Sequence, residues 1–239
     1  MKIQKHIPNT ITCCNLLCGS ASIILSARHL FVYAFLCIIL GAVFDLFDGM
    51  VARLLKVSSP LGLQLDSLAD DITFGLAPAL MLYFFLQPVL GLWSLIALLM
   101  AAFSALRLAK FNIDERQRTG FIGLATPGNA IFWGSVCCLP QLLELAQPAV
   151  VAVVLLLLSL FSCYLLLAEI PFFSFKFHSL SWNDNSRAYI FLIVAAVLLL
   201  CAVILAALCH NPRLVFAGSA GAILWYVLFN IIIHLSRKR

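Results

Sequence analysis

The stretch DLFDGMVARLLKVSSPLGLQLDSLAD, residues 45–70, places Asp45, Asp48, Asp66 and Asp70 inside a chain that is otherwise strongly apolar. Carboxylates in apolar surroundings are costly to desolvate, and four close together repel one another. Divalent cations remove both objections. A ligand set made only of oxygen favours hard ions such as Mg²⁺, Mn²⁺ or Ca²⁺, and the stretch holds no His or Cys that would favour Zn²⁺. At about 100° per residue, Asp45, Asp48, Gly49 and Ala52 share one helical face, and Gly62, Asp66 and Asp70 share another. Two such faces joined by a short turn can bring four carboxylates to one point around a pair of ions. The small residues leave room for a ligand to approach the backbone and for helices to pack closely. Arg53 offers a planar fork of donors to phosphate oxygens. A solvated helix end and a cation pathway through the membrane are the other readings of such carboxylates.

The elements that must position these residues are membrane helices. Of 239 residues, 64% are hydrophobic and 10% charged, with a mean hydropathy of +1.08, whereas soluble domains sit near half apolar and a quarter charged. Apolar segments of about 20 residues match a hydrocarbon core about 30 Å thick. The pattern predicts an all-α, polytopic integral membrane bundle. About eight transmembrane helices are expected, near 11–28, 31–55, 62–87, 90–112, 126–142, 148–170, 187–208 and 213–235. Polar or Pro/Gly-bearing breaks separate them, among them KVSSPLG, QPVLG and NIDERQRTG. An even number of spans puts both termini on one side. Of the fifteen Lys and Arg residues, all but Arg28 and Arg213 fall on that side, so the termini and the aspartate stretch are expected in the cytoplasm. The nine cysteines show no C-x-x-C spacing and read as small buried hydrophobes. The net charge of +5 suits anionic headgroups; no basic run accompanies stacking aromatics, so nucleic acid is not an expected partner.

The aspartate stretch resembles the signature of the CDP-alcohol phosphotransferase family, D-x-x-D-G-x-x-A-R-x8-G-x3-D-x3-D. Asp45, Asp48, Gly49, Ala52, Arg53, Gly62, Asp66 and Asp70 fill every fixed position. The resemblance implies a metal-dependent membrane enzyme that displaces CMP from a CDP-linked lipid with an alcohol. It also implies that the aspartates hold the metal and that Asp70 serves as general base. The Gly49–Ala52 face would then receive the nucleotide and Arg53 would meet phosphate. The continuations GLQLDSLADDITFGLAPA, SALRLAKFN and FIGLATPGNA resemble the phosphatidylserine synthase branch, with CDP-diacylglycerol and L-serine as implied substrates and a homodimer as the implied assembly. Thr73 stands where that branch usually has Ser, Lys110 where it has Arg, and Asn129 where it has Ala. Arg107 and Lys110, three apart on one helical face, read either as membrane anchors or as a pocket for lipid phosphate or the serine carboxylate; the resemblance favours the pocket. Asn15 and Gly19 share a face of the first span that could line the site. The chain reads as one membrane domain, 1–239, with its active site within 8–135 and helices 148–235 supporting it or dimerising.

Overall fold

A computed structural model of the chain describes residues 6–57, 59–114, 121–144, 147–172 and 182–237. The predicted loop SFKFHSLSWNDNSR falls largely outside them, as do Lys2, Lys5, Arg116, Arg118, Lys176, Lys238 and Arg239 and the side chains of Trp182, Arg187 and Arg237. The described residues form an all-α membrane protein. Its helices are α1 (His6–Ala27), α2 (Phe31–Leu54), α3 (Pro60–Asp70), α4 (Ala77–Leu90), α5 (Leu99–Ile113), α6 (Thr126–Cys137), α7 (Pro148–Leu167), α8 (Trp182–Leu208) and α9 (Val215–Arg237).

Six helical stretches among the described residues are long and apolar enough to cross a bilayer. One of them, the 54-residue run Pro60–Ile113, holds two predicted spans and folds back at Gly91. That glycine takes φ +56 and ψ −128, a combination L side chains rarely adopt. A Cβ built on Gly75 would meet Ser104 Oγ at 2.7 Å, so the returning leg lies directly against the outgoing one. Residues Gly91–Leu98 of the predicted fourth span are 3₁₀ rather than α-helical. The predicted fifth span, 126–142, is the 12-residue α6 followed by a 3₁₀ turn at Pro140–Leu142.

Lipid removes most of the hydrophobic gain from helix association, so small residues and buried hydrogen bonds must carry it. α1 shows this plainly. Its buried face is Pro8, Thr12, Asn15, Gly19, Ser22 and Ser26, a polar and small stripe at helical spacing. Thr73 fits between Gly19 and Gly41: Cβ atoms built there would lie 2.5 Å from Thr73 Oγ1 and 2.6 Å from Thr73 Cγ2. The main core lies among α2, α4 and α6, with Ile38, Phe74, Met81, Leu82 and Trp133 fully buried. The Trp133 indole is satisfied by Ser162 Oγ at 3.0 Å.

One element departs from the all-α expectation. Phe121–Ile122 pairs antiparallel with Pro171–Phe172, and Leu124 N donates to Leu165 O at 2.9 Å. This clasp ties the segment before α6 to the end of α7. Gly123 adopts φ +77, and a Cβ there would lie 2.7 Å from Leu166 O. Gly123→Ala should therefore cost about 1–3 kcal/mol, read as an earlier thermal unfolding transition in detergent.

Candidate active site

α2 carries Asp45 and Asp48 towards its end at Leu54, and α3 begins at Pro60. The turn between them is closed by local chemistry. Ser59 is the N-cap of α3, its hydroxyl accepting from Gly62 N at 2.9 Å, and Pro60 takes the first helical position. The reversal aims both acidic faces inward. Ligand oxygens of Asp45, Asp48 and Asp66 lie within 4.8 Å of one another.

Asp70, one turn beyond Asp66, stands outside that triple but within electrostatic reach of all three. Its Oδ1 accepts from Asn15 Nδ2 at 3.1 Å. Thr12 Oγ1 lies 2.5 Å from Asp48 Oδ2. Immediately after Asp70 the helix widens into a π-turn, Asp71–Leu76, a feature often found at functional positions. Within it Thr73 Oγ1 donates to Asn15 O at 3.0 Å. Asp71, the fifth carboxylate, turns away, its Oδ1 2.6 Å from the Cβ position of Gly75 beside Ser104.

A cavity of about 220 Å³ opens beside the acids. It is lined by Thr12, Asp48, Gly49, Ala52, Gly62 and Asp66, with Pro8, Asn9, Val57, Ser59 and Leu63 completing the wall. A Cβ added at Gly49 meets no atom within 4 Å, so this wall is bare and open. Gly49→Leu would push a branched side chain into that space.

The residues fit a divalent metal. The triple is wholly carboxylate, and Asp66 Oδ1 is buried with no hydrogen-bond partner. An orphaned anionic oxygen there calls for a cation. Mg²⁺ and Mn²⁺ suit such oxygen ligands, and Ca²⁺ shares the preference.

The expected basic residues separate. Arg107 is 5% exposed, lies within electrostatic reach of Asp70 and Tyr226, and has Nε and Nη2 buried without hydrogen-bond partners. Lys110 Nζ instead lies 3.6 Å from Glu169 Oε1, with both side chains well exposed. Arg53 is exposed and does not line the cavity that Ala52 lines, because one residue along a helix turns the side chain by about 100°. Asn129 is 1% exposed with neither amide atom paired. Thr12 was not expected at the site. Its signal in the sequence is the 8-12-15-19-22-26 stripe of polar and small residues in an apolar span.

The sequence model for CDP-alcohol phosphatidyltransferase matches residues 5–232. The chain belongs to that family. It is 37% identical over 187 residues to a CDP-diacylglycerol–serine O-phosphatidyltransferase of Bacillus subtilis, covering 77% of this chain and 99% of that protein. Proteins of the same description from Helicobacter pylori and Methanocaldococcus jannaschii are 36% identical over 127 residues and 37% identical over 131. Those alignments cover 52% and 55% of this chain, and 54% and 60% of the relatives. Family membership removes the pathway reading of the aspartates, since the signature carboxylates are those that cluster here. The chain is accordingly a multi-pass membrane phosphatidyltransferase acting on an alcohol.

Proposed function

We propose that the chain transfers the phosphatidyl group of CDP-diacylglycerol to L-serine, forming phosphatidylserine and releasing CMP. The observation that carries the chemistry is the convergence of Asp45, Asp48 and Asp66 beside a cavity walled by Gly49, Ala52 and Gly62. The acceptor is supported by the names of the relatives and by Arg107, whose unpaired Nε and Nη2 suit a small carboxylate within electrostatic reach of Asp70.

Asp45, Asp48, Asp66 and Asp70 are the residues to hold Mg²⁺ or Mn²⁺, as two ions. A divalent metal held by these carboxylates would supply charge neutralisation for the pyrophosphate. The bare wall at Gly49 and Ala52 admits the nucleotide. Arg107 binds the serine carboxylate and turns the hydroxyl towards Asp70, which accepts its proton as the serine oxygen bonds to the phosphatidyl phosphorus. The phosphorus–oxygen bond to CMP breaks, and the proton on Asp70 later passes to solvent. Positioning and charge neutralisation supply most of the rate, a hydroxyl being a poor nucleophile. The Lys/Arg bias supports a cytoplasmic position for the termini and site, and the resemblance to the family supports a homodimer.

Purified protein given CDP-diacylglycerol with serine, glycerol phosphate or an inositol phosphate tests the acceptor directly. Serine should release CMP; product from glycerol phosphate and none from serine overturns the choice. EDTA should abolish turnover, and Mg²⁺ or Mn²⁺ should restore it. Asp45→Asn should raise the Mn²⁺ concentration needed for half-maximal rate about tenfold or more, with excess metal recovering activity; an unchanged metal requirement would remove Asp45 from the ligand set.

A further inference from the structure

We infer that α1 is a positioning element for the acidic site, with Thr12 orienting Asp48 and Asn15 orienting Asp70. The Thr12 contact rests on the proposal that the aspartates hold divalent metal, and the Asn15 contact on the proposal that Asp70 is the base.

Each acid donor helix approaches the same face of α1. Thr12 and Asn15 are three residues apart on its buried stripe, so one rigid helix reaches the α2 acids and the α3 acids at once. The Thr12 hydroxyl has one proton and two acceptors within reach, Pro8 O at 3.1 Å and Asp48 Oδ2 at 2.5 Å. The shorter, charge-assisted bond to the carboxylate takes the proton. Asp48 is itself 6% exposed, so its carboxylate is held within the bundle.

Asn15 is fully buried and cannot swing away. Its Oδ1 lies 2.9 Å from the Cβ position of Gly41, and its backbone carbonyl accepts from Thr73 in the π-turn. Its Nδ2 therefore meets Asp70 Oδ1 from a fixed direction, leaving Oδ2 as the oxygen that turns towards the reacting hydroxyl. Carboxylates that bind metal need such outer partners to fix their orientation, and loss of one lowers metal affinity or activity about 10–100-fold.

The two contacts separate experimentally. Mn²⁺ binding to the detergent-solubilised protein, without substrates, is followed by electron paramagnetic resonance of the free ion. Thr12→Val removes the donor at nearly constant shape and should weaken Mn²⁺ binding about 10–100-fold, while Thr12→Ser, which keeps the hydroxyl, should bind like wild type. Asn15→Leu should lower kcat about 10–100-fold with KM for the CDP-lipid little changed, provided size-exclusion elution shows a folded particle. Thr12→Val binding Mn²⁺ as tightly as wild type overturns the Thr12 contact. Thr12→Ser falling as far as Thr12→Val assigns the effect to packing and overturns it equally. Asn15→Leu with an unchanged kcat, or with KM rising in step with the loss, overturns the Asn15 contact. Wild-type protein that binds no Mn²⁺ overturns the metal reading beneath the Thr12 contact.

Discussion

Asp70→Asn is expected to lower kcat about 10²–10⁴-fold, the usual contribution of a positioned general base, while leaving CDP-diacylglycerol binding largely intact. The substitution preserves shape, and an asparagine carbonyl can still accept the Asn15 amide that holds Asp70 now. What it removes is proton affinity at the oxygen facing the hydroxyl. The cavity wall at Gly49, Ala52 and Gly62 is untouched, and the triple of Asp45, Asp48 and Asp66 remains assembled. Single-turnover CMP release against equilibrium binding of the CDP-lipid measures both halves. Excess metal should recover only the share of the loss that comes from Asp70 as a ligand and leave the base's share lost, whereas Asp45→Asn should recover in full. Turnover near wild type would take the base role away from Asp70.

The second large effect falls on Arg107. Arg107→Met keeps a long apolar stem but removes the fork that would meet a carboxylate. Hydrogen bonds to charged groups contribute about 1.5–3 kcal/mol each, so losing a bidentate pair should raise KM for serine by about two orders of magnitude or more, each 1.4 kcal/mol being tenfold. Arg107→Lys should recover little, because an ammonium cannot reproduce the planar fork. A thermal readout separates binding from folding: serine should raise the unfolding temperature of the wild type and not of Arg107→Met, because only a bound ligand shifts the equilibrium. Serine saturation unchanged in the variant would assign the acceptor site elsewhere. Lys110→Met should matter less, since Glu169 already engages that ammonium at an exposed position, where ion pairs are worth little.

What the amino-acid sequence determined by itself was the chemistry and its environment. Composition required a membrane bundle, and the spacing of Asp45, Asp48, Asp66 and Asp70 put acids on two helical faces that a turn could join; helical periodicity is local, so it is legible residue by residue. The placements of Arg107, Lys110, Arg53 and α1 were decided only by the tertiary structure. Two basic residues on one face of α5 look alike until Glu169, just past the end of α7, pairs with Lys110, while Arg107 is buried with Nε and Nη2 unpaired. Arg53 sits in the signature yet faces outward, because which arc of α2 is covered depends on where α1 and α3 lie. The fold-back at Gly91, the π-turn after Asp70 and the strand clasp at Phe121–Ile122 were likewise set by packing. Nor could periodicity say that Thr12 meets Asp48 across 36 residues and Asn15 meets Asp70 across 55. A hydrogen bond between helices depends on their relative placement, and that placement belongs to the whole bundle.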